Sequence, residues 1–341
     1  MTDATSVFQS PSPDANNAAT RRLIWIDIAK GIAILLVITG HTVSVGSPLV
    51  PMIFMFHMPL FFIMAGYTYK IKPLKTVVLT SAKRLLIPYV IIFALWQGYT
   101  LIQQANVFTL DTLVTLGIRF IFASGSPNET MGVTDVGMAW FLMCLFVSRV
   151  LLNLILSCCE RYHLTLPIQA IIFIALAALG IVIGEKLQIF LPFDFDLALI
   201  TVGFMWCGYI ARKTDFLAKF GFRLPVLLGA LAIYVAAFSL SYLELAMRLY
   251  GIAPLCIAGA LAGSLLACWI STIIERTSKL LTKCFVFLGQ NSMLVYCFHC
   301  MDWFIPWKTL PALQSLPFKQ GIATALRTLY AILLTLLVKR V

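Results

Sequence analysis

Stretches of about twenty mostly apolar residues recur along the whole chain, from residue 23 to residue 338. A bilayer's hydrocarbon core is ~30 Å thick, and a helix rising ~1.5 Å per residue needs about 20 such residues to cross it. Ten segments meet that length, near 23–45, 49–69, 85–104, 138–157, 166–184, 189–210, 224–243, 252–274, 284–305 and 321–338. The weakest are the sixth, which opens on the acidic "PFDFDLALI", and the ninth, which is rich in polar side chains. The chain is 61% hydrophobic and 11% charged, against about 45–50% and about 25% in soluble domains. The expected fold class is therefore an all-α polytopic integral membrane protein.

No polar block is long enough to fold separately, so residues 21–341 are expected to form one transmembrane domain. Residues 1–20 are polar and lack the apolar core of a signal peptide, so a disordered cytoplasmic tail is expected there. The nine cysteines lie scattered in apolar segments rather than at the spacing of a disulfide framework, and they read as small buried hydrophobes. The run "CFHC" (Cys297, His299, Cys300) raises a metal site, but one helical turn fans these groups apart and no second ligand pair follows. No metal is expected.

Lys and Arg concentrate in the loops on the cytoplasmic side of a membrane protein. Of the 25 basic residues, 17 fall in loops and tails on the side of the N-terminus, and five (Arg119, Lys186, Arg248, Lys308, Lys319) fall on the opposite side. Miscounting one span would move every later loop across and erase that bias. Ten helices with both termini cytoplasmic is the topology that fits. The net charge of +11 then reflects this bias and attraction to anionic lipid, not nucleic acid. In the longest outer loop, "FTLDTLVTLGIRFIF" (108–122) has the spacing of a helix lying at the surface, placed to roof a site facing outward.

The first span, "RRLIWIDIAKGIAILLVITGH", carries Asp27, Lys30 and His41. An ionisable side chain at bilayer depth costs at least about 2.5–3.5 kcal/mol, so each is a functional candidate. Lys30 and His41 share one helical face about 16 Å apart along the axis. That face presents an anion-attracting group on the inner side and a proton acceptor toward the outer side. Asp27 joins the face, and with Lys30 three residues on it also forms a pair that would neutralise itself near the interface. His41 has no such local partner, and an imidazole titrates near neutrality, as a general base must.

The second span holds "FHMPLFFIMAGY", where His57 precedes Pro59 by two residues, a kink with a histidine beside it. "KRLLIPY" puts Lys83 and Arg84 at the cytoplasmic start of the third span, where they can hold phosphates or simply obey the positive-inside rule. In the ninth span, "FLGQNSMLVYCFHC", Ser292, Tyr296 and His299 share a face, with Asn291 beside them. Trp140, in "AWFL", suits either an interfacial belt or a site. Asp194 and Asp196 fall on the outer side, where they touch a polar acceptor or end a loop. Arg149 and Arg327 lie near the inner ends of spans four and ten, where snorkelling is the simple account.

The set "DIAKGIAILLVITGH", "FHMPLFFIMAGY", "KRLLIPY", "AWFL" and "FLGQNSMLVYCFH", in this order across nearly the whole chain, resembles the acyltransferase-3 family of bacterial membrane O-acyltransferases, and within it the branch related to fucose 4-O-acetylase. The resemblance implies an enzyme of the bacterial cytoplasmic membrane. It would move an acyl group, usually acetyl from acetyl-CoA, to a hydroxyl of an extracytoplasmic or lipid-linked carbohydrate. The family's basic residue followed after ten positions by histidine falls on Lys30 and His41. Its paired arginines at the third span are half kept, with Arg84 at the second position and Ser81 at the first, and Lys83 beside them.

The roles implied are His41, Asp27 and His57 in catalysis and Lys30, Lys83 and Arg84 on the CoA phosphates. Trp140, Asn291, Ser292, Tyr296 and His299 would orient the acceptor or stabilise charge. A transporter or flippase, with intramembrane charges lining a path, is the rival class and predicts broken helices in related halves.

Overall fold

The computed structural model describes residues 23–44, 46–103, 109–302, 305 and 318–340. The expected tail at 1–20 and the end of the ninth expected span lie outside them. The described elements are α1 (Ile24–Thr42), α2 (Leu49–Phe54), α3 (His57–Tyr67), α4 (Leu74–Gln103), α5 (Leu110–Phe122), α6 (Trp140–Arg161), α7 (Leu166–Ile181), α8 (Phe195–Lys213), α9 (Leu224–Leu240), α10 (Ala253–Thr277), α11 (Lys279–Gln290), α12 (Ser292–Met301) and α13 (Lys319–Arg340). Among the described residues the only β pairing is two isolated bridges, Asn128 with Val133 and Glu244 with Leu249.

Among the described residues eight helical stretches are long and apolar enough to cross a membrane: α1, α2 with α3, α4, α6, α7, α8, α10 and α13. A ninth is the pair α11 and α12, bent by 69° at Asn291. The apolar α9 has 17 residues and is shorter. In order along the chain these match the segments marked by hydropathy. Proline opens α7, α9 and α10 at a first-turn position, where its missing N–H has no helical partner to lose.

Two close crossings set the core. Helix α8 packs on α3 and α11 on α1. A Cβ on Gly66 would collide with the Met205 carbonyl and one on Gly208 with the Ile63 carbonyl, so α3 and α8 meet backbone against backbone. The α1–α11 crossing is built the same way: Gly31 lies on the Phe285 carbonyl and Gly289 on the Asp27 carbonyl. In lipid, where apolar burial gives little drive, such small-residue crossings supply the dispersion contact that holds helices together. Helix α1 also touches α3, α10, α12 and α13 and is the hub of the bundle.

Three departures from the sequence reading concern charge. Asp194 and Asp196 are fully buried rather than at a loop surface, and Arg248, expected as a solvated loop charge, is 1% exposed and ion-paired to both at 2.7 and 2.6 Å. That partner explains how the acidic sixth span is tolerated. Arg327 does not snorkel: it is 3% exposed and pairs with Asp302 at 2.7 Å. Arg149 does not snorkel either, since its Nε donates to Ser81 Oγ at 3.1 Å and its guanidinium lies 5.5 Å from the Tyr69 ring centre. Helix α5 fits the surface-lying expectation, with none of its residues buried, a Thr109 cap on Thr112 N–H, and Arg119 tied to Gln97 and Thr134.

Candidate active site

Two cavities open along the face of α1 that carries Lys30 and His41. The larger, about 500 Å³, is lined by Lys30 from α1, Ser81 and Arg84 from α4, Arg149 from α6, and Gln290, Ser292 and Tyr296 beside the α11–α12 break. Phe61, Leu85, Phe141, Leu145 and Met293 give it an apolar floor. Among the described residues no carboxylate lines it. The sequence explains how Arg84 reaches it: Pro88 lacks the N–H that would bond the Arg84 carbonyl, and the chain over Ala82–Leu86 forms a π turn with Ile87 N–H on the Ala82 carbonyl.

The smaller cavity, about 40 Å³, lies at the other end of α1 and is lined by His41, His57, Trp140, Tyr296, Glu244 and Met138, with Val37, Phe54 and Met58. Tyr296 lines both cavities, with its hydroxyl donating to the Met138 carbonyl. The His57 Nδ1 lies 2.8 Å from the Ile53 carbonyl, across the break between α2 and α3. A carbonyl only accepts, so Nδ1 carries the proton and neutral His57 keeps its lone pair on Nε2. The His41 and His57 rings flank Phe54, at 6.0 and 4.9 Å between centres.

Behind His41 stands a buried polar group. The His299 ring lies 5.6 Å from the His41 ring, and its Nδ1 is 2.9 Å from Asp302 Oδ2. Arg327 donates to both oxygens of Asp302 at 2.9 and 2.7 Å, and through Nη1 to the His41 carbonyl at 3.1 Å and Thr42 Oγ1 at 2.9 Å. The end of α1 that presents His41 is thus fastened to α12 and α13 by a bidentate pair, the most directional ion-pair geometry.

The pocket's roof is fastened separately. Glu244, Leu245 and Ala246 come from the loop after α9, and Arg248 in that loop reaches Asp194, Asp196 and Ser124 while its guanidinium stacks 3.7 Å over Phe190. Glu244 accepts from the Tyr242 hydroxyl at 2.7 Å, and burial pushes its carboxyl above the usual range against that bond.

Of the residues picked out in the sequence, His41, His57, Trp140 and Tyr296 meet at one pocket, and Lys30, Arg84, Ser292 and Tyr296 at the other. Lys83 is exposed and lines neither. Asp27 is buried but lines neither, and accepts from Gln290 Nε2 at 3.4 Å. Asn291 is turned onto the Phe287 carbonyl at the helix break. His299 lies behind His41 rather than on the cavity wall. Sequence reasoning missed two separate groups, Glu244 with Arg248 in the roof loop and Asp302 with Arg327 behind His41. Asp302, three residues past His299, was within reach of a spacing argument; the others were not.

A model of an acyltransferase domain matches residues 23–339, nearly the whole chain. The chain belongs to the acyltransferase-3 family. It is also 25% identical over 312 residues to the nodulation protein NolL of Mesorhizobium japonicum, covering 81% of this chain and 75% of that one. No solved structure matches it. The acyltransferase-3 assignment makes this a multi-pass membrane acyltransferase, and both cavities lie inside the matched span.

Proposed function

We propose that this acyltransferase moves an acetyl group from acetyl-CoA, bound in the basic cavity, to a carbohydrate hydroxyl entering at the His41 pocket. The observation that carries the reading is that one residue, Tyr296, walls both a cationic, carboxylate-free cavity and a pocket with two imidazoles. Lys30 and Arg84 suit the CoA phosphates, and the apolar floor suits the pantetheine arm. The pocket at His41, at about 40 Å³, suits a short acyl group.

A thioester is already activated, so the protein needs to supply a base, alignment and stabilisation of the oxyanion. His41 takes the proton of the attacking hydroxyl as its oxygen bonds to the thioester carbon. The carbon–sulfur bond then breaks, the His41 proton goes to the departing sulfur, and the products are an ester and free CoA thiol. Ser292 offers its hydroxyl to the carbonyl oxygen from the wall of the basic cavity, Tyr296, whose hydroxyl donates to the Met138 carbonyl, walls the passage between the cavities, and His57 orients the acceptor. In this reading the Lys30 end faces the cytoplasm of a bacterial inner membrane, and the acceptor is an extracytoplasmic or lipid-linked glycan.

The sharply bent span of α11 with α12, and the interruption between α2 and α3, are what a transporter or flippase also predicts. Membranes carrying the protein, given acetyl-CoA with a radiolabelled acetyl group, separate the two. The enzyme reading expects label in membrane glycan, and His41→Ala, inserted normally, is expected to lose at least a hundredfold of it. Full labelling by that variant removes His41 as base; no labelling by the native protein removes the reading.

A further inference from the structure

The basic cavity draws its cations from three helices: Lys30 from α1, Arg84 from α4 and Arg149 from α6. Arg149 is held as a ligand-binding guanidinium would be. Its Nε donates to Ser81 Oγ at 3.1 Å, and the guanidinium is centred 5.5 Å from the Tyr69 ring. Tyr69 is itself fixed by a 2.8 Å bond from its hydroxyl to Asn153 Oδ1. Among the described residues, neither Nη nitrogen of Arg149 donates to any acceptor. Arg84 and Arg149 line the same cavity, and among the described residues no carboxylate lines it with them. Two guanidiniums held together without an internal counter-ion call for an anion from outside, and a planar fork with both Nη groups free matches a phosphate oxygen pair.

Ser81 is three residues before Arg84 and is 2% exposed, with its hydroxyl turned to Arg149. An uncharged side chain on the cavity wall therefore receives a guanidinium from a different helix. We propose that Arg149 is a phosphate-binding residue of the donor site, supplying from α6 the cation that position 81 on α4 does not. The inference rests on reading the basic cavity as the acyl-CoA site.

The test is a charge relocation. Binding of radiolabelled acetyl-CoA to the full-length protein in detergent is compared for the native chain, Ser81→Ala, Arg149→Ser and the double variant Ser81→Arg with Arg149→Ser. Losing a charge-assisted bond to phosphate is expected to weaken binding by about 10- to 100-fold in Arg149→Ser. Ser81→Ala, which only frees the guanidinium from its anchor, is expected to lose a few fold. The double variant is expected to recover most of the affinity, which a purely structural role for Arg149 would not allow. In turnover, Arg149→Ser is expected to raise KM for acetyl-CoA while leaving KM for the acceptor unchanged.

A folded Arg149→Ser that binds like the native chain overturns the inference alone. If Arg149→Ser does not fold, a folded double variant that fails to bind overturns it equally, and one that binds supports it. A native chain that binds no acetyl-CoA overturns the donor-site reading and this inference together.

Discussion

The residues that carry the site differ in how far away their partners lie. His41 and His57 were visible in the sequence because an imidazole in an apolar run is out of place wherever it folds. Asp302, Arg327, Glu244 and Arg248 were not, because each makes sense only through contacts across the bundle, such as Arg327 to the His41 carbonyl and Arg248 to Ser124. Asp302→Asn leaves Arg327, 3% exposed, without its carboxylate, and breaking a buried pair in this way costs about 3–5 kcal/mol. The variant is expected to unfold at lower denaturant or temperature than the native chain, and Asp302→Asn combined with Arg327→Met to recover part of the loss. A double variant no more stable than the single one would mean that the orphaned guanidinium is not the source of the loss.

Glu244 carries a second expectation at this scale. Its folded carboxyl titrates above its unfolded value because burial disfavours the anion. Its contribution to stability is therefore fully present below the unfolded pKa and is lost as pH rises through the folded one. Melting temperatures measured in detergent from acid toward neutral pH should fall less in Glu244→Gln than in the native chain. An identical slope in both would show that the carboxyl is not desolvated.

At the scale of elements, hydropathy located the spans but not their breaks. Pro59 marked where a helical bond must be missing, and the chain answers there with a gap between α2 and α3; Pro88, which reads as a tolerated first-turn proline of the third span, instead lies inside α4 just after the π turn at Ala82–Leu86. The 69° bend at Asn291 had no proline to announce it. The small-residue crossings needed the pairing of α3 with α8, since hydropathy does not set Gly208 against Gly66. Gly208→Val drives a branched side chain into the Ile63 carbonyl, a main-chain atom that cannot turn away. Overpacking costs about 1–3 kcal/mol and more where backbone must move, so the variant is expected to lose most of its monodisperse material after detergent extraction. Gly229→Val, on α9 with open space around it, is expected to behave like the native chain.

For the whole molecule, the contacts sort the loops into two ends. Residues 123–139, 187–196 and 241–252 gather at the His41 end, tied by Arg248 to Ser124, Asp194 and Asp196, and α13 begins there with Gln320 on Ser44. The loop before α4 lies at the Lys30 end, where Lys72 meets Asn153 of α6. One of the five basic residues that the sequence reading counts on the outer side changes character in the structure. Arg248, one of the five, is neutralised by two buried carboxylates and offers no charge to a lipid surface. Since the orienting bias acts through Lys and Arg close to the spans, the Lys30 end is expected in the cytoplasm. Glu129 and Arg161 are exposed at the opposite ends and report on this directly. In intact spheroplasts a membrane-impermeant maleimide is expected to label Glu129→Cys above the native background, and Arg161→Cys only after the membrane is opened. The reverse pattern would turn the molecule over, put the basic cavity on the side without CoA, and leave the proposed donor no route to His41.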